Sequence, residues 1–231
     1  MNEILANLRG GLIVSCQSEG CDPFNADPKY MALFAKAAEM GGAKGIRSQG
    51  INKIKEIKKV VSLPIIGLLK STFKDGTVKI TSSFNEVEQL IEIGCDIIAI
   101  DGTQREREGL TGPCFIHEVK QRYNCIVLAD IATCEEAVAC EKAGADAVST
   151  TLNGYTPETM PYNEKPNLDL LRSICEKIEI PVFAEGRYNT PADAIEAAEI
   201  GAHAIVTGTA ITRPRVVTQW FVNKLKEHYH E

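Results

Sequence analysis

No run of twenty apolar residues occurs in the chain, and its amino terminus lacks a basic segment followed by a long hydrophobic stretch. These absences argue against a membrane span and a secretory leader, so a cytoplasmic protein with no membrane partner is expected. Histidine is scarce: there are four, two of them in the carboxyl-terminal tail, and none of the eight cysteines forms a Cys-x-x-Cys pair. Metal-ligand spacing is therefore missing, and no metal is expected. The glycine patterns of dinucleotide-binding loops are absent too, and no cofactor is expected. Basic charge is in deficit, with 25 Lys and Arg against 31 Asp and Glu, a net charge of -6 and a pI near 5.4. That balance argues against a nucleic-acid partner, because affinity for phosphate backbones needs a basic surface. A single anionic metabolite needs only a local pocket and stays open.

What is present is a repeated pattern. One kind of segment is a short apolar run that closes in a polar or charged residue: Gly11 to Gln17, Leu63 to Lys70, Cys125 to Asp130 and Ile180 to Glu185. The other kind follows a helix-ending glycine: Gly42 to Arg47, Gly94 to Asp101, Gly144 to Ser149 and Gly201 to Gly208. Apolar runs of this length read as strands buried on both faces. The two kinds alternate and are separated by helical patterns, which predicts eight strands. At 231 residues the chain has the usual length for one such barrel, so the expected fold is α/β, a single-domain (β/α)8 TIM barrel over 1–231 with phosphate-binding turns after strands 7 and 8. Cys16, Cys95 and Cys125 lie inside strand runs and read as free thiols packed as small hydrophobes.

Taken in order, a short amino-terminal helix precedes the first strand, and the loop Ser18 to Ala26 should lie over the barrel mouth. Asp27-Pro28 opens a helix with apolar residues at Met31, Phe34, Ala35 and Ala38, a helical period. Ile51 to Val60 is a helix whose lysines read as a solvated outer face. Ser71 to Ser82 is an unusually long connection, of the length active-site lids have. Ser83-Phe-Asn-Glu86 and Thr133-Cys-Glu-Glu136 are capping boxes that start helices, and Thr190-Pro191 is an N-cap with proline at the first helical position. A polar, proline-bearing loop runs from Thr156 to Pro166, a short extra helical turn begins at Thr209, and a last helix covers Arg215 to roughly Glu227.

Functional groups of such barrels lie at the carboxyl ends of the strands. Gln17, Arg47, Lys70, Asp101, Asp130 and Glu185 should therefore surround one mouth. For Asp101 the Asp-Gly-Thr sequence is turn chemistry, and an Asx turn outranks catalysis. Asp130 is as well suited to orienting a neighbour as to touching substrate. Lys70 and Glu185 favour function, because their strands are otherwise apolar and a partly buried charge needs a partner or a task. The glycine turns Glu185-Gly186-Arg187 and Thr207-Gly208-Thr209 present backbone N-H groups where these barrels often hold phosphate.

Gly67-Leu-Leu-Lys70, Asp130-Ile-Ala-Thr133, Thr150-Thr-Leu-Asn-Gly-Tyr-Thr156, Ala184-Glu-Gly-Arg187 and Val206-Thr-Gly-Thr-Ala-Ile-Thr-Arg-Pro214 resemble, in order, the motifs of the N-acetylmannosamine-6-phosphate 2-epimerase family. The resemblance implies a cofactor-free interconversion of N-acetylmannosamine 6-phosphate and N-acetylglucosamine 6-phosphate in bacterial sialic acid breakdown. It places the family's catalytic lysine and glutamate on Lys70 and Glu185, its sugar contacts on Gln17, Arg47, Asp130 and Arg213, and Asn153 on a phosphate-side loop.

Inverting C2 of a 2-acetamido sugar needs an open-chain aldehyde, removal of the acidified C2 proton and return of a proton to the other face. A neutral lysine serves as base if burial or a nearby cation such as Arg47 lowers its pKa. Glu185 suits ring opening or proton delivery, and Arg47 and Arg213 suit the enolate oxygen. Two rivals remain at this point. A strand-end lysine also suits an imine-forming lyase, and the same barrel suits a non-catalytic sugar-phosphate sensor, though a sensor has no use for both Lys70 and Glu185. A homodimer is expected from the family and from the tail, where Val216, Val217, Trp220, Phe221 and Leu225 form an apolar stripe. Packing of that stripe on its own barrel is the equal alternative.

Overall fold

The computed structural model describes residues 2–18, 20–160 and 165–230. Parts of two predicted loops, residue 19 and residues 161–164, lie outside the described residues. Helix α1 (Glu3–Leu8) leads into strand β1 (Gly11–Cys16), followed by α2 (Pro28–Met40), β2 (Gly45–Gln49), α3 (Ile51–Lys58) and β3 (Ile65–Leu68). The long connection then proves to be an antiparallel hairpin of β4 (Lys70–Thr72) and β5 (Val78–Ile80). Next come α4 (Phe84–Glu92), β6 (Ile97–Asp101), α5 (Gly112–Arg122), β7 (Ile126–Asp130), α6 (Cys134–Lys142) and β8 (Ala147–Ser149). The order ends with α7 (Leu168–Cys175), β9 (Val182–Glu185), α8 (Pro191–Ile200), β10 (Ala204–Thr207), α9 (Thr209–Thr212) and α10 (Pro214–His230). Leaving β4 and β5 aside, the eight other strands are parallel and close into a barrel, with β10 paired to β1.

The predicted helix starts hold for chemical reasons. Ser83 and Thr133 each accept the N3 amide while Glu86 and Glu136 reach back to the cap, so orphan donors are satisfied from both sides. Thr190 and Asp193 do the same at α8, with Pro191 in the first turn.

Period-two alternation divides the strands' side chains between two cores. Ile46, Ile98, Ile100, Val127 and Val148 face outward and pack with helix residues such as Ile54, Leu90, Phe115 and Ala137. Ile13, Ile66, Leu68, Ile97, Ala99, Leu128, Ala147, Phe183, Ala204 and Val206 fill the interior, which Leu5 and Leu8 of α1 close at the amino-terminal end. Burying each such Ile, Leu or Phe contributes roughly 1.5–3 kcal/mol. All eight cysteines are free, and burial pushes the Cys16 thiol up to about 12.

The predicted stripe on helix α10 is split: Val216 and Val217 are half-buried, whereas Trp220, Phe221 and Leu225 are exposed, Phe221 at 68% and Leu225 at 54%, so its distal part is not packed on the barrel. Among the described residues, no helix is long and apolar enough to cross a membrane.

Candidate active site

Two residues beyond the last interior apolar side chain, the same inward parity places a polar one at the carboxyl ends: Ser15 after Ile13, Lys70 after Leu68, Asp130 after Leu128, Ser149 after Ala147 and Glu185 after Phe183. Of these, Ser15, Lys70 and Glu185 line a cavity of about 240 Å³ at the barrel mouth. Gln17, Lys70, Glu185, Gly186, Arg187, Gly208, Thr209 and Arg213 all line it. Two larger clefts lie elsewhere, one beside Lys55, Lys58 and Lys59 and one beside α1.

Arg47 and Asp130 lie beneath this lining as a buried pair. The guanidinium donates twice to the carboxylate, Nη1 to Oδ1 at 3.0 Å and Nη2 to Oδ2 at 2.7 Å. Arg47 Nε is 3.3 Å from Glu185 Oε1 but out of line for a hydrogen bond. Arg47 thus serves two carboxylates, bidentate to one and by charge to the other. Sequence reasoning ended the second strand at Arg47, whereas β2 continues to Gln49, held by register with Leu68 of β3. That extension puts Arg47 inside the barrel instead of on its rim.

Glu185 Oε2 receives Ser149 Oγ at 3.1 Å, and the single proton of Thr151 Oγ1 is shared between Glu185 Oε2 at 3.0 Å and Asp130 Oδ1 at 2.7 Å. The backbone of Glu185 is fastened as well, since Thr150 Oγ1 bonds both its amide and its carbonyl. Burial raises the Glu185 pKa, Arg47 opposes that rise and Asp130 adds to it. Burial acts to lower the Arg47 pKa, but Asp130 and Glu185 outweigh it and hold the group above the ordinary arginine value.

Lys70 opens the hairpin instead of ending β3, because β3 stops at Leu68. It is exposed to the cavity, yet protein surrounds the amine on most sides. That crowding, with Arg47 and Arg213 repelling a further positive charge, brings its pKa down to about 8 against the attraction of Glu185 and Asp130. An amine whose pKa is lowered to about 8, lining the same cavity as a carboxyl held above its usual pKa, is an acid–base pair suited to proton transfer at carbon.

Gly186 has φ 103° and Arg187 has φ 67°, so the turn after β9 uses two left-handed residues in succession. Arg187 lines the cavity while donating to the carbonyls of Lys165 and Asn153, both at 3.0 Å. Asn153 does not line the cavity: its amide donates to the carbonyl of Ala132 and its oxygen receives Asn167. Gln17 donates to Ser15 Oγ at 2.8 Å, while its buried Oε1 has no partner among the described residues. Asp101 forms the expected Asx turn, accepting from the amide and hydroxyl of Thr103, and Arg105 and Arg107 pair with it away from the cavity. Ser149 and Thr151 were not singled out from sequence. Their signal was the Ser149-Thr-Thr run at the end of an apolar strand.

Fold and site together define a (β/α)8 barrel with an amine and a carboxyl poised at its mouth and an arginine pair of charges around them. A family described as "NanE: Putative N-acetylmannosamine-6-phosphate epimerase" matches residues 31–227. The chain belongs to this family. A relative from Caldanaerobacter subterraneus subsp. tengcongensis, named "Putative N-acetylmannosamine-6-phosphate 2-epimerase", is 46% identical over 227 residues, covering 97% of this chain and 95% of its own. One of the same name from Clostridioides difficile is 42% identical over 223 residues, covering 96% and 99%. The solved structure of the N-acetylmannosamine-6-phosphate 2-epimerase from Clostridium perfringens superimposes with a TM-score of 0.89 at 39% identity, covering 96% of each chain. A thiamine phosphate pyrophosphorylase from Pyrococcus furiosus, at TM-score 0.62, 18% identity and coverage of 91% and 90%, shares the fold.

Proposed function

We infer that this protein interconverts N-acetylmannosamine 6-phosphate and N-acetylglucosamine 6-phosphate, with Lys70 as the base and Glu185 as the acid at C2. The observation that carries the reading is the pair itself: Lys70, an amine with its pKa lowered to about 8, and Glu185, a largely buried carboxyl with its pKa raised, line the same cavity. With the sugar in its open form, the C1 carbonyl acidifies the C2 proton. Lys70 takes that proton, the electron pair spreads onto the C1 carbonyl oxygen as an enolate, and the Glu185 carboxyl returns a proton to the opposite face. Positive charge from Arg47 and Arg213 favours the enolate over the neutral ground state. No step calls on a cofactor or metal.

The same reading assigns binding. The unsatisfied Gln17 Oε1 suits a sugar hydroxyl, since a buried acceptor without a donor is costly. Asp130 holds Arg47 and reaches Glu185 through Thr151. The phosphate lies at Gly186, Gly208 and Thr209, with Arg187 beside it, and Asn153 acts through Arg187, whose guanidinium its carbonyl holds. The chain acts as one barrel domain in the cytoplasm, and it pairs as a homodimer through Trp220, Phe221 and Leu225, whose exposure on α10 leaves an apolar face to cover. Sedimentation showing only monomer at micromolar concentration removes that last assignment.

Proton NMR of each sugar phosphate in deuterium oxide tests the chemistry. Appearance of the other epimer with deuterium at C2 is expected, and unphosphorylated N-acetylmannosamine should be turned over far more slowly. Retention of the C2 proton through turnover overturns the reading. Borohydride with substrate should leave the enzyme active; inactivation would point to an imine.

A further inference from the structure

The hairpin that carries Lys70 is small. Its two strands make three residue pairs, Lys70 with Ile80, Ser71 with Lys79 and Thr72 with Val78. Such a ribbon is marginal alone, so its position depends on what holds its two ends. At the root, the Thr81 amide donates to the Leu69 carbonyl at 2.8 Å, and Ile80 is buried in the barrel interior. Thr81 itself sits at φ 41° and is fully buried. A β-branched residue in the left-handed region is strained and persists only where the surroundings over-determine it.

The second hold is at the tip, and it comes from the segment after β6. Arg105 Nη1 donates to Thr77 Oγ1 at 2.9 Å, and its guanidinium carbon lies 4.3 Å from the centre of the Phe73 ring. The other side of the same guanidinium is anchored: Nη2 donates to Asp101 Oδ2 at 3.1 Å and Nε to Thr103 Oγ1 at 3.0 Å. Asp101 is completely buried and is held again by Arg107. A planar fork that stacks on a ring while bonding three acceptors is arginine chemistry that lysine does not reproduce.

We propose that Arg105 is a positioning residue for the epimerisation: by fastening the tip of the β4–β5 hairpin to Asp101 of β6, it fixes the strained root and thereby the reach of Lys70 into the cavity. The inference rests on the reading of Lys70 as the base. Released at the tip, the ribbon can relax at Thr81, and both Lys70 and its cavity-lining neighbours Val78 and Ile80 move with it. A displacement on the order of 1 Å at a reacting group lowers the rate by about 10²-fold.

The test is steady-state kinetics against pH on the full chain, with deuterium exchange at C2, for wild type, Arg105→Ala, Arg105→Lys, Thr77→Val and Lys70→Met. Arg105→Ala is expected to lower kcat by about 10- to 100-fold with a much smaller change in KM, the pattern of lost positioning. Four charged groups act on the Lys70 amine: Arg47, Arg213, Glu185 and Asp130. A withdrawn amine is better hydrated and feels the two arginines less, so the rising limb of the pH profile should move up from about 8. A role confined to stability lowers Tm without moving that limb. Arg105→Lys should recover part of the rate, and Thr77→Val, which removes the acceptor from the hairpin side, should shift kcat and the limb in the same direction by less. If Arg105→Ala does not fold, Thr77→Val decides alone. Rates within about twofold of wild type and an unmoved limb overturn the proposal. Lys70→Met separates it from the reading beneath: exchange persisting there removes Lys70 as base, whereas an inert Lys70→Met beside a normal Arg105→Ala removes only the latch.

Discussion

Lys70 and Glu185 end apolar runs of the same design, yet the structure treats them oppositely. Glu185 is on a barrel strand, its carboxyl bonded by Ser149 and Thr151 and its backbone fastened by Thr150, within a buried cluster that includes Arg47 and Asp130. Lys70 is on a hairpin outside the barrel, exposed to the cavity, and its pKa is governed by crowding and repulsion. One group is built into the fold and the other is presented to it. The difference teaches that an acid–base pair can have unequal supports: burial raises the pKa of the carboxyl built into the barrel, while the amine is presented to the cavity on a hairpin.

The largest effect should come from removing the presented group. Lys70→Met is expected to lower epimerisation by about 10²- to 10⁴-fold and to abolish C2 exchange, while substrate binding persists, as isothermal titration can show. Its stability should not fall. A lysine whose folded pKa is below its unfolded value opposes folding at pH below about 8, and that opposition fades as pH rises from about 8 to the ordinary lysine value of 10.5. A Lys70→Met chain that unfolds more easily at neutral pH breaks the contrast.

Removing part of the built-in cluster should act on both axes. Asp130→Ala leaves Arg47 buried with Glu185 alone, which costs about 3–5 kcal/mol of stability in urea unfolding together with activity. A loss of activity with unchanged stability would mean the cluster is not structural. For pH, the fraction of neutral Lys70 falls tenfold per unit well below its pKa, so kcat/KM should rise with pH up to about 8 and then level or decline. A profile flat from pH 6 to 9 counts against the amine as base. The smallest effect is Thr151→Val, which removes one hydroxyl shared by two carboxylates and should destabilise by about 1–3 kcal/mol, read as a lower urea midpoint.

Much of this molecule is written locally. Alternating apolar runs predicted the eight barrel strands, and the caps at Ser83, Thr133 and Thr190 start their helices as read, because a cap involves residues only three apart. The Asp101 turn was legible for the same reason. Less legible were the end of the third strand, read at Lys70 and found at Leu68, the hairpin within the long connection Ser71 to Ser82, and the placement of Asn153 against Ala132 instead of in the cavity. Arg47 was misplaced by two residues because β2 is extended by pairing with β3, which no local pattern records. The α10 stripe was visible, but whether it faced its own barrel was a tertiary matter.

By itself the sequence determined which residues face inward at the carboxyl ends, since strand parity follows from the backbone. Only the tertiary structure decided which of those groups pair, share protons or stay apart. Arg47 and Asp130 are 83 positions apart in the chain and 2.7 Å apart in space. Charge interactions and desolvation depend on that second distance, so the protonation states that make Lys70 a base and Glu185 an acid are properties of the closed barrel and not of either segment.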